Sequence, residues 1–314
     1  MSTKIPYLDE VWNPTTGCTP CSPGCDHCWA ARMAGRFNRM MCVRCHGTGH
    51  EYIDCGNERS GYDLRHLCPD CGGGGDVPDF TPRYHRSRFE QPLHWRKHRR
   101  VGVCFMGDLF HPQIANDWLQ DEVFAVMEQC PQHDFLVLTK RAYTLHDYIV
   151  SRDSEQAREQ GIWPLPNVWP GVTICNQEEA DEKIPILLDT PAALRWVSYE
   201  PALGHVDFTH YLPHWCPDCL TVHSSMTCWH DEAHPKSVMR PRIDWIVLGG
   251  ETGSGARPMD AEWALDVWRR CGETGVPFYF KQWGRRGMNN IDPLSQMHEQ
   301  ATAMQATREF PERG

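Results

Sequence analysis

Short apolar runs, each followed by a helix-like segment, recur through most of this chain, and that rhythm restricts its fold more than any other feature. The runs are "VGVCFM" (101–106), "DFLVLTK" (134–140), "NVWPGVTI" (167–174), "LRWVSYE" (194–200), "DWIVLGG" (244–250) and "PFYFKQW" (277–283). Amphipathic stretches such as "DWLQDEVFAVMEQC" and "DAEWALDVWRRCGETG" lie between them. In the second, Trp263, Val267, Trp268 and Cys271 recur at helical spacing, and Gly275 is placed to stop the helix. Strands alternating with helices predict a parallel sheet. Six or more such units predict an α/β fold with a complete or partial (βα) barrel. A doubly wound open sheet is the alternative.

Catalytic residues of such barrels collect at the C-terminal ends of the strands. Polar residues do end these runs: Asp108, His111, Lys140, Arg141, Asn176, Glu200, Glu251, Lys281 and Gln282. Some could simply cap the following helix. Lys140, Lys281 and Glu251 are the candidates for catalysis.

Two regions break the rhythm. Residues 40–84 are rich in Gly, Cys and Asp, and residues 213–240 hold Pro, His and Cys with little periodicity. They divide the chain into a barrel of residues 1–39 and 85–314, an insert at 40–84 and a second insert at 213–240.

The chain has sixteen cysteines. Its start, "MSTKIPYLDE", has no basic segment leading into an apolar run, so no signal peptide is expected. No apolar stretch reaches the ~20 residues that span a bilayer. A cytoplasmic protein with no membrane partner is expected, where clustered thiols read as metal ligands. The scattered Cys104, Cys130, Cys175 and Cys271 read as small buried apolar residues.

"CVRCHGTG" and "CPDCGGGG" each fit Cys-x-x-Cys-x-Gly-x-Gly and resemble the zinc repeats of DnaJ-type chaperones. Cys42, Cys45, Cys68 and Cys71 are expected to hold one structural zinc. In "CPDCLTVHSSMTCWH", Cys216, Cys219 and Cys228 suggest a second zinc, with His230, His223 or His234 as fourth ligand. Both inserts are therefore read as zinc-stapled loops.

"GCTPCSPGCDHCWA" (17–30) sets Cys18, Cys21, Cys25 and Cys28 within eleven residues. Three thiolates on one loop leave one iron of a [4Fe–4S] cluster open, and soft thiolates suit such a cluster. Four thiolates could equally make a zinc knuckle. Spacing alone leaves both open.

The segments "VWNPTTGCTPCSPGCDHCWAARM", "FMGDLFHPQI", "FLVLTKR", "NVWPGVTICNQEEADEKIPILL", "RWVSYEPALG", "DWIVLGGETGSGARPM" and "PFYFKQWG" together resemble a phage-associated three-Cys-motif, radical-SAM-like family. They cover nearly the whole chain outside the inserts, in the same order. The resemblance implies a barrel of the radical SAM type. It also implies cluster ligands Cys18, Cys25 and Cys28, because the family spaces its cysteines by seven and then three. Cys21 stands where the family usually has another residue, and it is the rival to Cys18. Asp108 is implied to hold the methionyl amine of S-adenosylmethionine. Thr173, Asn176 and Glu200 are implied to reach the ribose, and Gly249, Gly250 and Glu251 to line the adenine or substrate side. A tight glycine turn is the plainer reading of that last motif.

The implied function is a radical S-adenosylmethionine enzyme served by a flavodoxin- or ferredoxin-type electron donor. Its substrate would be a nucleic-acid base or nucleotide, as in phage DNA base hypermodification, for example rearrangement of a modified thymine. A phage protein would do this in the host cytoplasm. A non-catalytic, zinc-rich nucleic-acid- or protein-binding module is the alternative. The formal net charge of −10 gives nucleic acid no general attraction. Contact would need a local patch, and "RYHRSRFEQPLHWRKHRR" (83–100), with seven Arg/Lys against one Glu, is the candidate.

Overall fold

The computed structural model describes residues 3–36, 39–41, 50–52, 65–67, 76–114, 117–154, 163–212, 214–216, 221–223, 242–285 and 296–312. Seven strands form one sheet: β1 (Glu10–Trp12), β2 (Arg100–Val103), β3 (Asp134–Thr139), β4 (Val168–Ile174), β5 (Trp196–Tyr199), β6 (Trp245–Gly249) and β7 (Phe278–Gln282). Their order in the sheet is their order in the chain, and every neighbouring pair is parallel. A doubly wound sheet reverses its strand order partway across; this one does not. The sheet curls into a half-barrel with β1 and β7 at its edges.

The helices are α1 (Trp29–Ala34), α2 (Asp117–Glu128), α3 (Ala142–Arg152), α4 (Gln177–Asp189), α5 (Ala261–Thr274) and α6 (Gln296–Gln305). Local chemistry sets several ends. Asn176 caps α4 by accepting from the Glu179 amide at 3.0 Å. Asp260 caps α5, and Gly275 closes it in the left-handed conformation at φ +68°. Val267 and Cys271 of α5 are buried, as their spacing predicts.

Both faces of the sheet are covered, which explains why the strands read as continuous apolar runs. Alternation along each strand sorts its residues. Val172, Ile174, Val197, Tyr199, Ile246, Leu248, Phe278 and Phe280 pack with Ile184 and Leu187 of α4 and Leu265 and Val267 of α5. Val101, Val103, Phe135 and Val137 join Leu119 and Val123 of α2 and Leu145 and Ile149 of α3. On the other face, Leu136, Trp169, Trp196, Trp245, Val247 and Tyr279 gather around Tyr7 and Leu8. Tyr7 meets Trp196, Trp245 and Tyr279 edge-on, with centroids 5.6–6.2 Å apart. Trp196 lies across Gly171, where a Cβ would sit 2.4 Å from its indole nitrogen. Burying such side chains contributes roughly 1.5–3 kcal/mol each.

Two to four residues further along the same inner rows, the side chains turn polar. Trp169 leads through Gly171 to Thr173, Trp196 to Ser198 and Glu200, Tyr279 to Lys281, and Leu136 through Leu138 to Lys140. The half-barrel thus has an aromatic floor and a polar mouth at the C-terminal strand ends.

Three short antiparallel ladders interrupt this plan in or at the edge of the expected inserts: Arg39–Met41 with Asp76–Pro78, His50–Tyr52 with Arg65–Leu67, and His214–Cys216 with Thr221–His223. A fourth pairs Thr15–Thr16 with Arg83–Tyr84. Among the described residues, no helix is long and apolar enough to cross a membrane.

Candidate functional site

The four clustered cysteines occupy the loop from β1 to α1, at the mouth. Backbone bonds pin the loop: Gly17 donates to the Met106 carbonyl at 2.8 Å and Cys18 to that of Phe80 at 3.0 Å. Ser22 caps a 3₁₀ turn (Pro23–Cys25), accepting from the Gly24 amide at 3.1 Å. Cys28 then opens α1. Cys21 is exposed, and Cys18, Cys25 and Cys28 are half-buried.

Their environments differ. A hydrogen bond from Cys21 lowers the Cys25 thiol to about 5 against the opposing effect of burial, with the Lys140 ammonium assisting. The same bond raises the Cys21 thiol, as does burial. Burial and nearby Asp108 raise Cys18, and Arg141 opposes them. Half-exposed thiols beside cations are the kind that ligate metal. Among the described residues, no group of three or more His, Cys, Asp or Glu side chains is arranged to hold a single metal ion. A cluster distributes its thiolates over separate irons, so the donor set suits it without convergence on one point.

Asp108 is buried under this loop. Its Oδ1 accepts from Thr139 Oγ1 at 2.7 Å and the Phe110 amide at 3.0 Å, and its Oδ2 accepts from Arg141 at 2.8 Å. Arg141 continues to Cys18 Sγ at 3.3 Å and to the Thr19 carbonyl at 3.1 Å. Thr19 Oγ1 also meets Nε2 of buried His111 at 2.8 Å. The geometry therefore makes Asp108 the anchor of Arg141.

Across the mouth, Glu251 ties the loop after β6 to the cysteine loop. Its Oε2 lies 2.9 Å from His27 Nδ1 and accepts from the Arg257 amide at 2.7 Å, while Oε1 accepts from Arg257 Nη2 at 2.6 Å. Arg257 reaches on to the Pro23 carbonyl at 2.9 Å and to Asp26 at 3.0 Å. Burial pushes the Glu251 carboxyl up, but Arg257 and His27 more than offset this and hold it at about 2. Arg32 of α1 makes a parallel tie to the Thr252 carbonyl at 2.6 Å. Gly250 is required here, because a Cβ would sit 2.1 Å from the Trp283 carbonyl oxygen.

Glu200 takes both its oxygens to Lys281 Nζ, at 2.7 and 2.8 Å, and Gly249 leaves room beside that carboxylate. Behind the strands, Lys183 pairs with Glu179 in a buried contact and donates to the Thr173 carbonyl at 3.3 Å. Glu179 Oε2 accepts from Cys175 Sγ at 2.8 Å, and Cys175 lies 3.8 Å from Ser22 Oγ. All four scattered cysteines are buried.

These elements enclose a cavity of 360 Å³. Of the residues singled out from sequence, Cys28, Lys140, Thr173, Glu200, Gly250, Glu251, Lys281 and Gln282 line it. Asp108, Asn176 and Gly249 do not, and neither do Cys18, Cys21 and Cys25. Sequence reasoning missed Tyr7, His27, Arg32, Ser198 and Arg257. Ser198 was open to the period-two alternation, and Arg257 stands six residues after Glu251 in "ETGSGARPM".

Four of the seven Arg/Lys side chains of the basic stretch 83–100 are paired with carboxylates. Arg83 pairs with Asp79, Arg86 with Glu122, Arg99 with Glu10 and Arg100 with Asp9. Cys42, Cys45, Cys68, Cys71, Cys219, Cys228, His230 and His234 lie outside the described residues. Cys216 and His223 each end a short strand.

A family model described as "Protein of unknown function (DUF5131)" matches residues 2–311. Comparison with curated proteins and with solved structures gives no match.

Proposed function

We propose that this chain, which belongs to the DUF5131 family, is a radical S-adenosylmethionine enzyme acting on a nucleic-acid base or nucleotide. One observation carries the reading. Cys28, on the loop after the first strand, shares a cavity wall with Lys140, Thr173, Ser198, Glu200 and Lys281 from the ends of later strands. A thiolate loop facing a polar barrel mouth is what such chemistry requires.

Cys18, Cys25 and Cys28 would hold a [4Fe–4S] cluster. When bound, the cluster supplies the electron that cleaves S-adenosylmethionine to methionine and a 5′-deoxyadenosyl radical. The chain's own residues position and shield. Arg141, held by Asp108, braces Cys18. Arg257, held by Glu251, braces the turn that precedes Cys25 and Cys28. The floor of Tyr7, Trp196, Trp245 and Tyr279 keeps water out from below. Lys140, Thr173 and Ser198 offer polar contacts to whatever enters. The Cys42/Cys45/Cys68/Cys71 and Cys216/Cys219/Cys228/His230 sets would staple the inserts with zinc, making them recognition arms.

Purification without oxygen, with iron, sulfide and zinc analysis, tests this. A brown protein with about four irons that converts added S-adenosylmethionine to 5′-deoxyadenosine in the presence of reductant is expected. A colourless protein with zinc alone would leave a zinc-rich binding module in its place.

A further inference from the structure

The cavity wall carries four cationic side chains, Lys4, Arg32, Lys140 and Lys281, against two carboxylates, Glu200 and Glu251. Both carboxylates are already satisfied within the fold, Glu200 by Lys281 and Glu251 by Arg257 and His27. Arg32 donates to a neutral carbonyl. Among the described residues, Lys4 and Lys140 have no carboxylate partner. Four cations less two carboxylates leave a surplus of two positive charges in a chain whose formal net charge is −10. A concave site of one sign focuses its field and concentrates ligands of the other.

We infer that this cavity takes a small phosphate-bearing ligand of the nucleoside monophosphate class. A phosphate monoester carries about −1.5 to −2 at neutral pH, matching the surplus, whereas a carboxylate carries a single charge. Trp29, 49% exposed, lines the same cavity with Phe105, offering aromatic faces for a base. The volume lies in the usual range for small-ligand sites. A polymer is disfavoured, because four arginines of the 83–100 stretch are paired with carboxylates and the acidic surface repels a polyanion. The inference narrows the substrate of the reading above. It rests on the same cavity but on none of its metal chemistry.

The test uses full-length protein purified without oxygen and titrated calorimetrically. The ligands are deoxynucleoside 5′-monophosphates, their parent nucleosides and a short single-stranded oligonucleotide, at low and high salt. At least one monophosphate is expected to bind about ten- to a hundredfold more tightly than its nucleoside, the worth of charge-assisted bonds to phosphate. That preference should weaken with salt. Lys140→Gln should remove most of it and Lys140→Arg should keep it, with both variants melting like the parent. Equal affinity for nucleotide and nucleoside, no binding, an oligonucleotide that outbinds every monophosphate, or a Lys140→Gln protein with its preference intact overturns the inference. Iron measured on the same sample separates the two ideas. An iron-free protein that prefers phosphate keeps this one and loses the radical chemistry; an iron-bearing protein without the preference does the reverse.

Discussion

At Glu251, several donors converge on one buried carboxylate, and this makes it a tie between two loops. A carboxyl held at about 2 stabilises the fold above its unfolded value of about 4.3 and loses that contribution as pH falls through about 2. Glu251→Gln should therefore lower the unfolding free energy at pH 7 by at most about 3 kcal/mol. The gap between the two proteins should narrow from about pH 5 downward and vanish near pH 2, measured by urea melts across that range. The cysteines allow a sharper test. Cys25→Ala and Cys28→Ala should each lose iron, and so should Cys18→Ala, while Cys21→Ala keeps most of it. Iron content and the absorbance near 400 nm report this. Retention by Cys18→Ala with loss by Cys21→Ala would transfer the ligand role to Cys21. The type and spacing of these thiols are readable from sequence. The partners that set their environment are not: Arg141 and Asp108 lie over eighty residues away, and contact at that separation leaves no local pattern.

Among the elements, α4 has the most at stake in one side chain. Buried Lys183 neutralises buried Glu179, which in turn receives Cys175 beneath Ser22 of the cysteine loop. Lys183→Met should cost about 3–5 kcal/mol, because it leaves a buried carboxylate without its cation. Adding Glu179→Gln should restore much of that stability. A double variant no more stable than the single one in chemical denaturation would show that the pair is not coupled. The strands themselves were largely legible. β3 to β7 each fall inside a predicted run, since a sheet buried on both faces writes itself as unbroken apolar sequence. β1 was not legible, because three residues, Glu10–Trp12, are too few to display any period. The conflict between barrel and doubly wound sheet was equally beyond local pattern; strand order decides it, and order is a property of the assembled sheet.

For the molecule as a whole, the barrel core and the inserts should separate in their metal dependence. Among the described residues, the seven strands and their packed helices draw on three apolar clusters with no member from 40–84 or 213–240. Cys42→Ser or Cys68→Ser should therefore lose zinc yet retain iron and most of the thermal stability. Joint loss of both metals would show that insert and barrel form one unit. A different consequence follows from where Tyr7 sits. It precedes β1 in the chain, yet it packs against Tyr279 of β7, whose ring centroid is 5.6 Å away. The floor and the Lys281 wall cannot exist until β7 has emerged. A ribosome adding 5–20 residues per second needs roughly 12–50 s to travel from Cys28 to Phe278. By then it has delivered all sixteen cysteines. For that interval the thiols of Cys18 to Cys28 stand without the cavity they will face, and whatever they meet first, they meet as part of an unfinished chain.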